Sequence, residues 1–200
     1  MIRPIVLAAG LGKRMGAVKA LLPIDGLPAL AVVLRTIASA GLGSPIVVLG
    51  HDVDDIRKNV DLSGCAVVVN EHPELGLSGS MKLGLGAIED TATGVLMFHV
   101  DMPYLASATV LAVLEAATTG ASIAAPFFES KRGFPVYFGR SLITDLSDSL
   151  QGDSGGRRFL ARHSEDLIRV PVDDPGCVFD IDRPSDLEAW KGEPLCAINE

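Results

Sequence analysis

The sequence predicts an α/β protein: a single three-layer α/β/α domain built on a mostly parallel sheet. Three observations carry this. Short apolar runs alternate with longer amphipathic segments along the chain, the pattern of βαβ units. The apolar runs are continuous rather than alternating, as strands covered on both faces require. The chain has 200 residues and is 48% hydrophobic, enough for one full core spanning 1–200.

In chain order, Ile5–Ala9 reads as a buried strand. Leu27–Ala40 has helical spacing and stops at Gly41. Pro45–Leu49 is the second strand, Asp52–Val60 a short helix and Ala66–Val69 the third strand. Ser78–Glu89 reads as a helix despite three glycines, and Val95–Val100 as a strand that ends at Asp101. Ala106–Thr118 is an alanine-rich helix, followed by a strand over Ser122–Ala125. Phe134–Phe138 reads as a strand with Pro135 at an edge or bulge. Arg140–Leu150 and Gly155–His163 read as helices, Leu167–Val170 and Val178–Ile181 as late strands, and Ser185–Trp190 as a final short helix. No internal repeat, low-complexity tract or linker interrupts this order.

Charge and cysteine usage narrow the function classes. The net charge is −8 with a pI near 4.9, which argues against nucleic acid or an anionic membrane as partner. Three separated cysteines, Cys65, Cys177 and Cys196, form no C-x-x-C pair, so neither a disulfide framework nor a zinc site is expected and a reducing cytoplasm is the default. The start MIRPIVLAAGLGKRMG lacks the charge order of a signal peptide, and no apolar run reaches membrane-spanning length, roughly 20 residues.

In open sheets of this kind ligands bind beyond the carboxyl ends of the strands. The unusual residues fall at those ends. Arg3, Lys13, Arg14 and Lys19 lie in the first twenty positions, and no acid appears before Asp25. Gly10, Gly12 and Gly16 follow the first strand but match neither the G-x-x-x-x-G-K-[ST] loop nor the G-x-G-x-x-G fingerprint. Their physical use survives: glycines let backbone N–H groups approach an anion, and Arg14 and Lys19 can supply charge-assisted bonds to phosphates. The alternative is a flexible loop with solvated cations.

A second glycine-bearing stretch, PELGLSGSMKLGLGA, opens a helix that Ser78 or Ser80 can cap, leaving free N–H groups and partial positive charge. Lys82 lies one turn in, toward phosphate or solvent. Asp101, just past an apolar strand, is poorly explained by packing and marks a functional crevice. His99, inside that strand, reads as a packed core residue. Asp186 reads as an N-terminal acid for the last helix. Asp180 and Asp182 are read as pointing to opposite faces if the Val178–Ile181 strand continues to Asp182, so that only one of them, Asp180 by a small margin, faces the site. Near Arg157 and Arg158, Asp153 or Ser154 reads as a helix cap. Basic residues in a first turn oppose the helix dipole, which makes an anionic partner more plausible there.

The run LAAGLGKRMGAVKALLPIDGLP closely resembles the signature of small nucleotidyltransferases, with the closest fit to molybdenum cofactor cytidylyltransferases (MocA-like) and their guanylyltransferase cousins (MobA-like). The resemblance implies a Rossmann-like domain of the nucleotide-diphospho-sugar transferase kind. It implies that Leu7, Ala8, Ala9, Gly10, Gly12, Arg14 and Lys19 hold the base and triphosphate, that Lys13 stands at a variable position, and that Gly76, Leu77 and Ser78 contact base and ribose. Catalytic duty falls on Arg14, Lys19 and Asp101. Mg²⁺ is the implied metal, held by Asp101 with Asp180 or Asp182, whose segment VFDIDRPSDLEAW matches the family's second acid motif.

KRGFPVYF…LQGDSGGRRFL resembles the acceptor segment of the cytidylyltransferases, giving Arg132, Gly133, Pro135, Asp153, Gly155 and Arg157 as acceptor-binding positions. Ala9 stands where guanylyltransferases have glycine, and its methyl narrows the base pocket toward a pyrimidine. Gly79, Val100, Phe134 and Gly156 depart from the family pattern. The implied reaction moves CMP from CTP, or a nucleotidyl group from another NTP, to molybdopterin or its molybdenum form, for a recipient molybdoenzyme. Transfer to a different phosphate acceptor, and a non-catalytic accessory role in nucleotide or cofactor binding, are the rival readings.

Overall fold

A computed structural model describes residues 1–10, 12 and 15–190. The chain begins with β1 (Ile2–Ala8) and turns through a two-stranded hairpin, β2 (Pro23–Ile24) and β3 (Leu27–Pro28), into α1 (Ala29–Ser39). Then come β4 (Ile46–Leu49), α2 (Val53–Asn59), β5 (Ala66–Val69), α3 (Leu77–Gly86), β6 (Gly94–His99) and α4 (Ser107–Thr118). The second half holds β7 (Ile123–Phe128), β8 (Lys131–Arg132), β9 (Val136–Gly139), α5 (Ile143–Ser149), α6 (Arg157–Arg162), β10 (Leu167–Pro171) and α7 (Pro184–Ala189).

The main sheet has eight strands in the order β5-β4-β1-β6-β9-β7-β10, with β8 paired to β7. β1, β4, β5 and β6 are parallel, and β7 and β10 are parallel to each other. β9 runs antiparallel to both β6 and β7, so only β9 and β8 oppose the common direction. The chain steps outward from β1 through β4 to β5, then crosses back to β6 on the other side of β1. That reversal opens a crevice at the carboxyl ends of β1 and β6.

Strand alternation sorts the apolar residues into two layers. Val6, Ala8, Val47, Leu49, Leu96 and Phe98 pack with Leu30, Val33 and Ile37 of α1, Ile56 of α2 and Val110 and Val113 of α4. Ile5, Leu7, Ile46, Val48, Val95 and Met97 pack on the other face with Met81 and Leu85 of α3, Leu146 of α5 and Phe159 of α6. Each fully buried side chain of this kind contributes about 1.5–3 kcal/mol. A third cluster joins Met15, Leu22, Ile24, Ala29 and Val32 to Ile181, tying the first loop to the C-terminal segment.

Four readings of the sequence need correction here. Val178–Ile181 is not a strand: Pro175–Val178 is a 3-10 turn and the chain is irregular to Arg183. Asp174 caps that turn, its carboxylate accepting from the Gly176 N–H at 2.9 Å and from Ala106 and Thr109, and this holds the segment off the sheet. Pro135 precedes β9 through a cis bond with Phe134, and β9 lies inside the sheet, not at an edge. Neither Ser78 nor Ser80 caps α3, which begins at Leu77; the Leu77 N–H donates instead to Asp153 Oδ1 at 3.1 Å. Asp153 and Ser154 in turn do not cap α6, where Gly156 holds the N-cap position without a side-chain bond. Asp186 behaves as read, its carboxylate accepting from the backbone of Asp182 and Arg183.

Candidate active site

Two cavities meet at the carboxyl ends of β1 and β6. The first, about 600 Å³, is floored by Leu7, Ala9, Gly10 and Gly12 from β1 and its loop. Pro73–Leu77 forms a second wall, and Lys19, Glu74, Asp101, Asp153 and Asp182 supply its charge. The second, about 310 Å³, lies beyond it and carries Arg132, Arg157 and Asp180. Leu77, His99 and Asp101 line both.

The first loop is shaped by its glycines. Gly12 sits at φ +54 and its carbonyl accepts from Met15 and Gly16, turning the chain back toward Lys19. Across the cavity Gly76 takes φ +96, and a Cβ there would lie 2.9 Å from Gly152. The Ser78 N–H donates to the Gly152 carbonyl, so the start of α3 is fastened to the 152–153 turn. Asn70 is buried at the end of β5, donates to Ser80 Oγ at 3.0 Å and accepts from the His72 N–H, bracing the same wall. Sequence reasoning missed Asn70; its one signal was an Asn at a strand end before a turn.

Lys19 is the charge centre. Its ammonium donates to Asp101 Oδ2 at 2.9 Å and to Asp182 Oδ1 at 2.5 Å. Desolvation opposes its charge, but the two carboxylates outweigh that and hold its pKa above the ordinary lysine value. The C-terminal segment is drawn in by Ile181, which is fully buried and donates its N–H to the Asp101 carbonyl at 2.8 Å. Tyr104 stacks on Trp190 with centroids 4.2 Å apart and meets Phe179 edge-on, fixing both ends of that segment.

Asp182 therefore lines the first cavity and Asp180 the second, each beside Asp101. Asp180 is surface-exposed as a residue, yet partial desolvation of its carboxyl lifts its pKa, and Asp101 and Asp182 add repulsion. The reading that one of the pair turns away rested on a strand that is absent; in any case, residues two apart in a strand share a face.

His99 is packed, as read, and it also lines both cavities. Its ring lies edge-on to Phe134 with centroids 4.3 Å apart, and its Nδ1 is 4.0 Å from Asp101 Oδ1. Desolvation lowers its pKa despite Asp101 and Asp180, so the imidazole is neutral near neutral pH. Arg132 is also held below its ordinary value, by desolvation first and by Arg157 second.

The remaining expected site residues divide. Leu7, Ala9, Gly10, Gly12, Lys19, Gly76 and Leu77 line the first cavity; the Ala8 side chain points into the opposite core layer, as strand alternation requires. Ser78 is buried within α3, its hydroxyl without a partner among the described residues. Arg132 and Arg157 line the second cavity, whereas Asp153, read as an acceptor residue, lines the first and caps α3. Gly133 packs on Cys177 and Gly155 on Leu77, and neither they nor Pro135 line either cavity. Lys82 points to solvent. Lys13 and Arg14 lie outside the described residues, as does Cys196.

A scan of family models matches residues 4–167 to the MobA-like NTP transferase domain. The chain belongs to this family. Nicotine blue oxidoreductase of Paenarthrobacter nicotinovorans is 31% identical over 163 residues, 78% of this chain and 79% of that protein. The bifunctional protein GlmU of Agrobacterium fabrum is 32% identical over 142 residues, 70% of this chain; the aligned part is 31% of that longer protein. Among solved structures, Rv0371c of Mycobacterium tuberculosis H37Rv superposes with a TM-score of 0.85 at 28% identity, over 94% of this chain and 95% of that one. The same protein has been crystallised in complex with manganese. The fold is accordingly the Rossmann-like fold of nucleotidyltransferases, and this MobA-like chain has no helix among its described residues long and apolar enough to cross a membrane.

Among the described residues no three His, Cys, Asp or Glu side chains are gathered as a ready cation cage. Asp101 and Asp182 are bridged by the Lys19 ammonium, and Asp180 lies within electrostatic reach of all three, so the donors available here are carboxylate oxygens. Hard divalent ions such as Mg²⁺ commonly bind through one or two carboxylates plus substrate phosphates, and these residues fit that requirement.

Proposed function

We propose that the protein transfers CMP from CTP to a phosphate-bearing acceptor of the molybdopterin type, releasing pyrophosphate. The observation that carries this reading is the pair of adjoining cavities. One is backbone-lined with a cation and carboxylates, the other holds two guanidiniums, and both open on Asp101 and His99. A donor triphosphate and an acceptor phosphate held there meet in one place, the arrangement that in-line displacement needs.

An acceptor phosphate oxygen attacks the α-phosphorus of the nucleotide, the bond to the bridging oxygen breaks, and pyrophosphate leaves with the electron pair. The protein's part is positioning and charge neutralisation. Gly10 and Gly12 bring backbone close to the triphosphate, Lys19 neutralises charge on the departing pyrophosphate, and Arg132 and Arg157 hold the acceptor's phosphate. Arg14 is assigned to the same phosphates by the family pattern. Mg²⁺, held by Asp101 with Asp182 or Asp180, supplies charge neutralisation on the phosphates when bound. Ala9, buried at the floor, supports a pyrimidine base over guanine. Residues 1–200 are taken as one catalytic domain acting in the cytoplasm, with a molybdoenzyme as recipient of the product.

Pyrophosphate release with Mg²⁺ and each of CTP, GTP, UTP and ATP, with and without the pterin phosphate, tests this. CTP-dependent release with the pterin is the expected result, and Ala9→Gly shifts the preference toward GTP. Release with a hexosamine 1-phosphate alone favours a reaction of another acceptor class. Nucleotide binding without release under any condition favours an accessory protein. The oxidoreductase name of one relative adds a control: reduction of an added quinonoid dye by NADH or NADPH, two electrons passing from the nicotinamide to the dye, with no pyrophosphate release would replace transfer by redox chemistry.

A further inference from the structure

Lys19 is the one lysine or arginine among the described residues lining the first cavity, against the carboxylates of Glu74, Asp101, Asp153 and Asp182. Its ammonium lies between Asp101 Oδ2 at 2.9 Å and Asp182 Oδ1 at 2.5 Å, so one positive charge sits where two acids from distant parts of the chain converge. Asp180 adds a further negative charge within electrostatic reach. The Lys19 side chain is 13% exposed, less than either carboxylate it bridges. The backbone beneath it is pinned: Lys19–Leu21 is a 3-10 turn, Ala20 is buried in the core and Leu22 packs in the cluster that holds Ile181. Only the flexible four-carbon stem is left to move.

Asp101 and Asp182 are also acids that fit Mg²⁺, and one position cannot hold two cations. A divalent ion entering alone must turn the ammonium out and leave a part-buried charge without its partners, which is costly. A triphosphate removes that cost, because its oxygens accept from the displaced ammonium within the same cavity. The vacated acids, with Asp180 beside them, then carry a net negative charge that a doubly charged ion matches better than an ammonium does. Binding of the ion and of the nucleotide is in this way linked through one side chain, and such linkage is reciprocal.

We propose that Lys19 is a resident cation at the metal position, held between Asp101 and Asp182 until a triphosphate draws it away, so that a divalent ion binds tightly only together with nucleotide. This rests on the reading of the first cavity as the triphosphate site and adds how two cations share its carboxylates.

Two titrations of the full chain test it: Mn²⁺ alone, followed by the paramagnetic resonance of the free ion, and CTP at saturating Mg²⁺, followed by calorimetry. Lys19→Ala removes the charge and opens the position. It is expected to bind Mn²⁺ alone at least about ten-fold more tightly than wild type and CTP with Mg²⁺ at least about ten-fold more weakly, within the range typical of linked sites. A merely structural role for Lys19 would weaken both. Adding Asp182→Asn to Lys19→Ala should take the gained Mn²⁺ affinity away, which assigns the gain to this pair of acids. Lys19→Met, which keeps the stem, serves if the alanine variant does not fold. Mn²⁺ affinity unchanged or reduced in the Lys19 variant, a gain that survives Asp182→Asn, or an unchanged affinity for CTP overturns the proposal. Both affinities moving as expected, with no pyrophosphate released from any nucleotide, would sink nucleotidyl transfer and leave the exchange of cations standing.

Discussion

The first cavity takes its walls largely from chain at strand ends, Ala9, Gly10 and Gly12 after β1 and Pro73–Leu77 after β5, in the parallel half of the sheet. The second takes its walls from side chains on α3, β6, β9 and α6 and on the segment around Val178–Asp180, where β9 breaks the parallel order. A backbone cradle can be written in one short run of glycines, because N–H groups are common to every residue. A side-chain cavity needs separate elements to converge, so its chemistry changes one residue at a time. Phe134 lines the second cavity and not the first, so a change there would act on one region alone.

The largest expected break falls on the first cavity. Lys19→Ala should lower the turnover of CTP by about 10²–10³-fold, the loss typical of one preorganised electrostatic donor. Steady-state kinetics at saturating acceptor check this, and wild-type turnover would remove Lys19 from the mechanism.

Next comes the seam between the two regions. Gly76→Ala places a methyl at a positive φ and within 2.9 Å of Gly152. Overpacking of this kind destabilises by about 1–3 kcal/mol. A lower midpoint in denaturant, together with a raised KM for CTP, is the expected pair of effects; a change in neither would show that the 152–153 turn yields freely.

Asp153→Ala removes the bond to the Leu77 N–H and should cost about 1 kcal/mol, the usual worth of a helix cap. The same variant separates the two regions: because Asp153 lines the first cavity, its kinetic effect should appear in the KM for nucleotide and not in that for acceptor. The reverse split would return Asp153 to the acceptor side.

The last effect is one of pH dependence and lies at Cys177, which packs on Gly133. Burial, with Asp174 nearby, pushes the Cys177 thiol up to about 12. Because the folded value is raised above the ordinary 9.0, the stabilisation is fully present below that pH and is lost as pH rises toward 12. Cys177→Ala should therefore show a shallower loss of stability between pH 9 and 11 than wild type; Cys65, Tyr104, Tyr137 and Lys19, whose values are also raised, contribute to the remaining slope. Iodoacetamide at pH 8 should leave Cys177 unmodified in the folded chain, as shown by peptide mass analysis; rapid labelling would mean that this region opens readily.

By itself the sequence determined the layers and the first loop. Continuous apolar runs at Ile46–Leu49 and Val95–Phe98 and the 3.6-residue spacing of Leu30, Val33 and Ile37 are local patterns, and each element forms where its own residues place it. The glycines after β1 and the carboxylate after β6 were legible because strand ends in such sheets converge on one crevice. Tertiary structure alone decided the rest. It set β9 between β6 and β7, lifted Pro175–Val178 off the sheet by capping it with Asp174, and gave Asp153 to α3 in place of its own helix. It also turned His99 from an apolar strand onto the shared wall of both cavities. These outcomes depend on contacts between residues tens of positions apart, whose pairing is set by which packed arrangement buries the most apolar surface while leaving each buried N–H a partner.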